Sequence, residues 1–284
     1  MSKLFLRKVR VTLGRAGGIV VGERPRDQGK DPLRIDFWIE ATVSGTPNKG
    51  YVTIWNLNAS HRNSVGREWD WLRIEAGHTG SLYGEGTVST IGEGFIRDVE
   101  HQRSETDIAT NIEFADGDIA WRQGTISETV EGSPKDQVLK LLEHMPEVAR
   151  GDLLGLDETP YKRPTVLFGS VVREMNKLSR SHAFRWSIQN GVLETIPKDG
   201  FIDQEAVVSP HTGMLGVPTL TDEGIRVPVL LNPQIRPNRV IRVLSETLGM
   251  SPGSDAGRFR VDRATYSGDN RDGDFRVDVE GTRL

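Results

Sequence analysis

The side chains most able to bind a metal or move a proton are six histidines, His61, His78, His101, His144, His182 and His211. No two stand at the spacing of a zinc site, and none belongs to an HExxH helix. There is no cysteine, which excludes disulfides and thiolate metal sites. No serine occupies a GxSxG elbow; Ser81 and Ser89 do not fit it. Glu113, Asp116 and Asp118 surround Gly117 and read as a turn. The run Asp269-Asn270-Arg271-Asp272-Gly273-Asp274 has the acidity of a calcium loop. Such a loop needs oxygen ligands at its first, third and fifth places and glycine at its sixth. Here Arg271 stands third, where its charge repels a cation, and Gly273 fifth, so the run reads as a polar hairpin loop. Residues 84–94 (GEGTVSTIGEG) lack the lysine and following helix of a phosphate cradle. Two carboxylates about 5–10 Å apart across a cleft would make a glycan hydrolase, and their separation is not written in a sequence. The residues therefore predict no catalytic, cofactor-binding or metal-binding site, and no cofactor.

The aromatic and basic residues carry a different message. Trp38, Trp55, Trp69, Trp71, Trp121 and Trp186 lie in or beside strand-like runs, and Trp69-Asp70-Trp71 is dense. Most read as core. Trp55, Trp69 and Trp71 are candidates to anchor a subunit interface, where large aromatics concentrate. Arg236, Arg239 and Arg242 form a local basic stripe, which reads as solvated strand edges and turns. Arg236 and Arg239 join the three tryptophans as interface candidates.

Composition narrows the class. Hydrophobic residues make up 36% and charged residues 27% of 284, which predicts a soluble globular protein with modest cores and two or three domains. Net charge is −4 with both signs interspersed, so the whole chain is not an electrostatic nucleic-acid binder. No apolar run approaches the length of a membrane helix. The opening MSKLFLRKVRV lacks the apolar stretch and cleavage site of a signal peptide and reads as part of a first strand.

With 31 glycines and 14 prolines between β-branched runs, the chain is rich in turns and predicts a β-dominated α+β fold. Residues 1–128 read as a small β-barrel-like domain with strands over 5–13, 33–43, 50–55, 72–76, 86–99 and 106–114. Residues 15–31 read as a loop. Alternation is clearest at Ile35, Phe37 and Ile39, with Asp36 and Glu40 on the other face. The pattern then changes. Ser133 and Pro134 open a helix over 135–145 that ends before Pro146, and a second helix fits 169–181. Strands over 183–188 and 191–196 meet at Asn190-Gly191, the strongest short hairpin signal. Residues 129–204 therefore read as a middle α+β domain. Residues 205–284 return to strands, over 214–220, 224–231, 239–245, 257–267 and 273–280, and read as a second β-barrel-like domain.

Four stretches, taken in order along the chain, resemble the phage-tail baseplate central hub family, the Mu-type or contractile-tail hub. They are residues 52–65 (VTIWNLNASHRNSV), 71–80 (WLRIEAGHTG), 212–243 (with Gly216, Pro218, Gly224 and the LLNP turn at 230–233) and the closing hairpin 266–281 (YSGDNRDGDFRVDVEG). The resemblance implies a structural, non-enzymatic protein with two small barrels per chain, assembling as a homotrimer whose six barrels form a pseudo-sixfold ring. Such a ring joins the hexameric tail tube, or its initiator protein, to the trimeric spike, with other baseplate proteins around it. DNA passes only transiently through its channel. The implied location is the virion tail baseplate, after synthesis in the host cytoplasm, with no membrane partner. No fused peptidoglycan hydrolase is visible. The alternative is a carbohydrate- or receptor-binding virion module, marked by exposed tryptophans in a groove; a glycan hydrolase is the third reading.

Overall fold

A computed structural model of the chain describes residues 5–15, 17–22, 32–43, 45–79, 87–250 and 257–284. The chain divides into two compact units, one of Met1–Thr42, Lys49–Ala115 and Asp203–Leu284, the other of Val43–Asn48 and Asp116–Ile202.

The first unit opens with β1 (Phe5–Leu13), β2 (Ile19–Val21), β3 (Ile35–Thr42), β4 (Lys49–Trp55), the short helix α1 (Ala59–Ser64), β5 (Trp71–Thr79), β6 (Ser89–Ser104) and β7 (Asp107–Ala115). The second unit contributes α2 (Asp118–Gln123), β8 (Thr125–Val130), α3 (Pro134–Glu143), β9 (Ala149–Leu153), β10 (Thr165–Ser170), α4 (Val171–Ser181), β11 (Phe184–Gln189) and β12 (Val192–Pro197). The chain then adds β13 (Ile202–Val208), β14 (Thr219–Leu220), β15 (Gly224–Leu230), β16 (Arg239–Val243), β17 (Arg258–Asp269) and β18 (Phe275–Arg283) to the first unit, Ile202 itself counting with the second.

Thirteen strands of the first unit form one sheet in the order β14-β15-β18-β17-β3-β4-β7-β6-β5-β1-β2, with β16 also on β17 and β13 on β16. The β-dominated α+β character predicted from sequence is what the structure has. Among the described residues, however, the sheets close no barrel. The strands of the first and last segments share one sheet, because β17 is long enough to serve both sets. Arg258–Arg260 pair with β16, and Arg263–Asp269 pair with β3 on the same edge. Between these two runs the register against β18 slips at Asp262. A bulge bends a strand locally, which lets two partners share one edge. The Asp262 carboxylate is held there by Arg260 Nε at 3.0 Å and by the Thr282 hydroxyl.

Alternation sets which face is core. Along β3 the residues Ile35, Phe37, Ile39 and Ala41 are buried while Asp36, Trp38 and Glu40 are half-buried, the period of two read from sequence. These four join Val9, Val11, Leu13, Val52, Ile54, Leu72 and Ile74 from one strand set, and Val227, Val229, Ile241, Phe259, Val261 and Val277 from the other, in one continuous core. Tyr266 on β17 is fully buried in it. Its hydroxyl donates to the Ile235 carbonyl at 2.5 Å, and burial pushes the phenol pKa far up.

In the second unit, α3 starts at Ser133, whose side chain accepts from the Asp136 amide while Asp136 accepts from the Ser133 amide. This capping box, with Pro134 in the first turn, is the start signal read from sequence. Val138 and Leu141 of α3 pack with Val171, Met175 and Leu178 of α4, over Phe184, Trp186 and Leu193 of the three-stranded sheet β11-β12-β9. The β11–β12 turn has positive φ at Asn190 (53°) and Gly191 (72°), as an Asn-Gly hairpin requires. Asp116, read from sequence as a turn residue, fixes this one: its carboxylate accepts from the Asn190 and Gly191 amides at 2.5 and 2.8 Å.

Several elements differ from the sequence reading. The strand expected over 214–220 shrinks to Thr219–Leu220, because Gly216 takes φ +73° and Pro218 follows. Ile19–Val21 forms a strand within the expected loop, whose residues 23–31 lie outside the described ones. The strands β8, β9, β10 and β13 and the helix α2 have no counterpart in the sequence reading.

Candidate assembly surfaces

The five interface candidates fall into two groups. Trp69, Trp71 and Arg239 are buried within the chain, at 8%, 6% and 4% exposure. Trp69 packs against His61 at 5.5 Å and over Gly14, where φ is +75° and a β-carbon would lie 2.7 Å from Trp69 Cδ1. The guanidinium groups of Arg15 and Arg73 lie 5.2 and 5.0 Å from the Trp71 ring. Arg239 donates to Gln204 Oε1 at 3.3 Å and to the Pro237 carbonyl at 3.1 Å. Trp55 and Arg236 keep part of their surface open. Trp55 Nε1 donates to the Asp36 carboxylate at 2.8 Å, beneath the Arg34 guanidinium. The basic stripe is in part an internal network. Arg242 grips Glu205 with two bonds, at 2.6 and 3.2 Å, and Arg258 adds a third at 3.1 Å. The Arg242 bonds, with both guanidinium charges, hold the Glu205 carboxyl below its usual range.

The titratable groups do not converge. Among the described residues no three acidic or histidine side chains are placed to share a metal ion. His144 bonds Glu128 at 2.8 Å and His182 bonds the Tyr161 hydroxyl at 2.5 Å, each on the second unit. His78 is buried with neither ring nitrogen bonded, its ring edge-on to Phe275 at 5.3 Å. Burial, then the charge of Arg7, pushes its pKa down. Among the described residues no helix is long and apolar enough to cross a membrane.

The acidic loop after β17 is a clasp. The Asp269 carboxylate accepts from the Arg271 and Asp272 amides at 2.7 and 3.3 Å and from Arg34 Nε at 2.7 Å. Burial opposes its charge, but these donors outweigh burial and hold the carboxyl below its usual range. Asn270 accepts from the Ile35 amide and donates to the Leu33 carbonyl, and Arg7 donates to the carbonyls of Asp269 and Gly273. The loop therefore ties the last hairpin to β1 and β3.

The β6–β7 hairpin is an open feature of the first unit. The pairing of β6 with β5 ends at Phe95 and that of β7 with β4 ends at Ala109, yet β6 and β7 pair with each other out to Ser104 and Asp107. The outer residues 100–107 are all exposed. They carry Glu100, His101, Arg103, Glu105 and Asp107; on the β7 side Asn56 bonds both backbone groups of Ile108 and the Asp107 carboxylate, so the arm stands clear of its neighbours at its tip. Sequence reading found its two strands but not that they outrun their neighbours. At its base lies a cleft of about 350 Å³ lined by Arg62, Arg67, Arg97 and His101 over Val65, Ile96 and Val99.

Neither protein-family models nor curated proteins give a match to this chain. Solved structures do. A tail protein from Neisseria meningitidis MC58 superposes with a TM-score of 0.61 at 11% identity, over 98% of this chain and 97% of that one. The 43 kDa tail protein of prophage MuSo2 from Shewanella oneidensis gives 0.60 at 9% identity, over 96% and 98%. The E. coli c3393 protein gives 0.58 at 10% identity, over 90% and 76%. It is a component of the type VI secretion system with structural similarity to the T4 bacteriophage tail proteins gp27 and gp5. The chain thus has the fold of phage-tail, baseplate-hub-like proteins. At these identities the likeness is one of fold, and it extends over nearly the whole length of the two tail proteins.

Proposed function

We propose that the chain is a structural hub of a phage-tail baseplate. It assembles as a pseudo-sixfold trimeric ring that connects the hexameric tail tube to the trimeric spike and leaves a channel for DNA. The observation that carries this reading is the sheet: one chain presents two strand sets, β1–β7 and β13–β18, coupled through β17 and β3. A subunit with two unlike sets offers the two different patches that head-to-tail closure needs. Three such subunits present six sets, matching a sixfold tube while keeping threefold symmetry for a spike. In this reading residues 1–128 and 205–284 are the two hub domains, and 129–204 is the α+β domain between them in sequence. The partners are the tube or its initiator, the spike and other baseplate proteins, in a virion tail made in the host cytoplasm. No catalytic residue or cofactor enters. The likeness of fold to two tail proteins, one of them from a prophage, over 96–98% of the chain supports the assignment. The alternative, a carbohydrate- or receptor-binding module, called for tryptophans in an open groove. Trp69, Trp71 and Trp186 are buried within their own chain and Trp38, Trp55 and Trp121 half-buried, which weighs against that alternative.

Native mass measurement of the purified protein, alone and mixed with tube and spike proteins from the same tail, tests the reading. The expected product has three times the 31.6 kDa protomer mass and shows a central channel in electron micrographs. A chain that stays monomeric in both conditions would falsify it.

A further inference from the structure

We propose that the arm formed by β6 and β7 is the connector between copies: its tip on one chain seats in the basic cleft at the base of the arm on the next. This inference rests on the hub reading. The arm outruns its neighbours on both sides at its tip: β6 continues past its last pairing with β5 at Phe95, and Arg103–Asp107 lie past the last pairing of β7 with β4 at Ala109. At about 3.3 Å per residue the two paired positions beyond Ala109 carry the turn roughly 7 Å past β4. Its tip is acidic, with Glu105 in the turn and Asp107 beyond it, against Arg103 alone. The cleft has the opposite sign: Arg62, Arg67 and Arg97 surround it, against Asp98. Its floor of Val65, Ile96 and Val99 is suited to the stem of a glutamate and the methyl of Thr106, and the arginines to a carboxylate. Tip and cleft are different surfaces on one protein, so their contact is head-to-tail, and repeated contacts close a ring when the rotation allows.

Glu105 and Thr106 make a two-residue hairpin turn, and the φ of +54° at Glu105 is what such a turn requires of its first central residue. The turn places the Glu105 carboxylate, which is exposed, at the end of the arm. The arm's charged edges also guard it against pairing with arbitrary strands, leaving charge complementarity to select the partner.

The test is a charge-swap cycle read by trimer dissociation, using Glu105→Lys, Arg67→Glu and the double variant of the full-length chain. Each single change places like charges together and is expected to weaken the trimer about tenfold or more, while the double restores it. Both positions are exposed, so thermal midpoints of the protomer should not move, and that check separates assembly from folding. A native trimer indifferent to Glu105→Lys overturns the arm contact and leaves the hub standing. Weakening by both singles without rescue in the double overturns the pairing of this tip with this cleft. A native protein that forms no ring even with tube and spike overturns the hub reading itself.

Discussion

Replacing Asp269 with asparagine should loosen the clasp between the last hairpin and β3, and the structure sets the size of the effect. The change keeps Oδ1 for the Arg271 and Asp272 amides but turns an amide toward Arg34 Nε, 2.7 Å away. A hydrogen bond to a charged group contributes about 1.5–3 kcal/mol. The Asp269 side chain is 11% exposed but that of Arg34 is 49%, so solvent screens part of the pair and about 1–2 kcal/mol is expected. For a chain of this size that corresponds to roughly 2–8 °C in the melting midpoint. The pH dependence gives a sharper signature. Asp269 titrates below its ordinary 3.8 in the folded protein, so it binds protons more weakly there than in the unfolded chain. Its contribution is therefore full above about pH 4 and is lost as pH falls through the lower folded value. Urea titrations of the native and D269N proteins from pH 7 downward should show a gap in stability that narrows only in acid. Equal midpoints at pH 7, or a gap unchanged at the acid end, would refute the assignment of the clasp to this carboxylate.

Three other substitutions report on separate parts of the fold. His78→Phe removes a buried ring with two unbonded nitrogens and should raise stability by about 1 kcal/mol. It should also abolish a fall in native stability as pH drops below 6.5, since the folded imidazole resists the proton that the unfolded one accepts; thermal scans between pH 8 and 5 would reveal either. Gly14→Ala places a β-carbon 2.7 Å from Trp69 at φ +75°, and a loss of about 2–4 kcal/mol is expected in chemical denaturation. Asp116→Ala strips two bonds from the Asn190-Gly191 turn, so amide exchange at those two residues should quicken at least tenfold, with about 2–4 kcal/mol lost.

What was legible in the sequence was local. The alternation of β3, the capped start of α3 and the Asn-Gly hairpin each write their geometry within a few residues, and each is present. The run at 269–274 was legible as a polar hairpin loop for the same reason, and it joins the paired strands β17 and β18. The clasp made by that loop was not legible: its partners Leu33, Ile35 and Arg34 lie more than 230 positions away in sequence. The union of the two strand sets was hidden likewise, because a pairing such as Tyr266 with Ile39 leaves no periodic trace. Trp69 and Trp71 were read as interface anchors from their density, but Trp69 joins the core beside His61, and Trp71, on the face of β5 opposite Leu72 and Ile74, is covered by Arg15 and Arg73. Arg239 looked solvated, yet the acceptors that bury it, on Gln204 and Pro237, belong to a strand and a turn that the local pattern did not foretell. The projecting arm escaped notice because its length beyond its neighbours is a property of pairing rather than of composition.

The seam between β17 and β3 also sets a schedule for biosynthesis. β3 leaves the ribosome early, but the strand that covers its second edge begins only at Arg258. At about 5–20 residues per second the interval is roughly 10–40 s. Throughout it, the nascent chain exposes an alternating, aromatic-rich edge of the kind that recruits foreign strands. β4 can pair with β3 almost at once, so one edge is guarded within seconds and the other waits until β17 has been made. A ribosome stalled or a message truncated before residue 258 would leave a product whose first half is folded and whose open edge is adhesive. Such fragments should partition into aggregates, whereas the completed chain stays in solution.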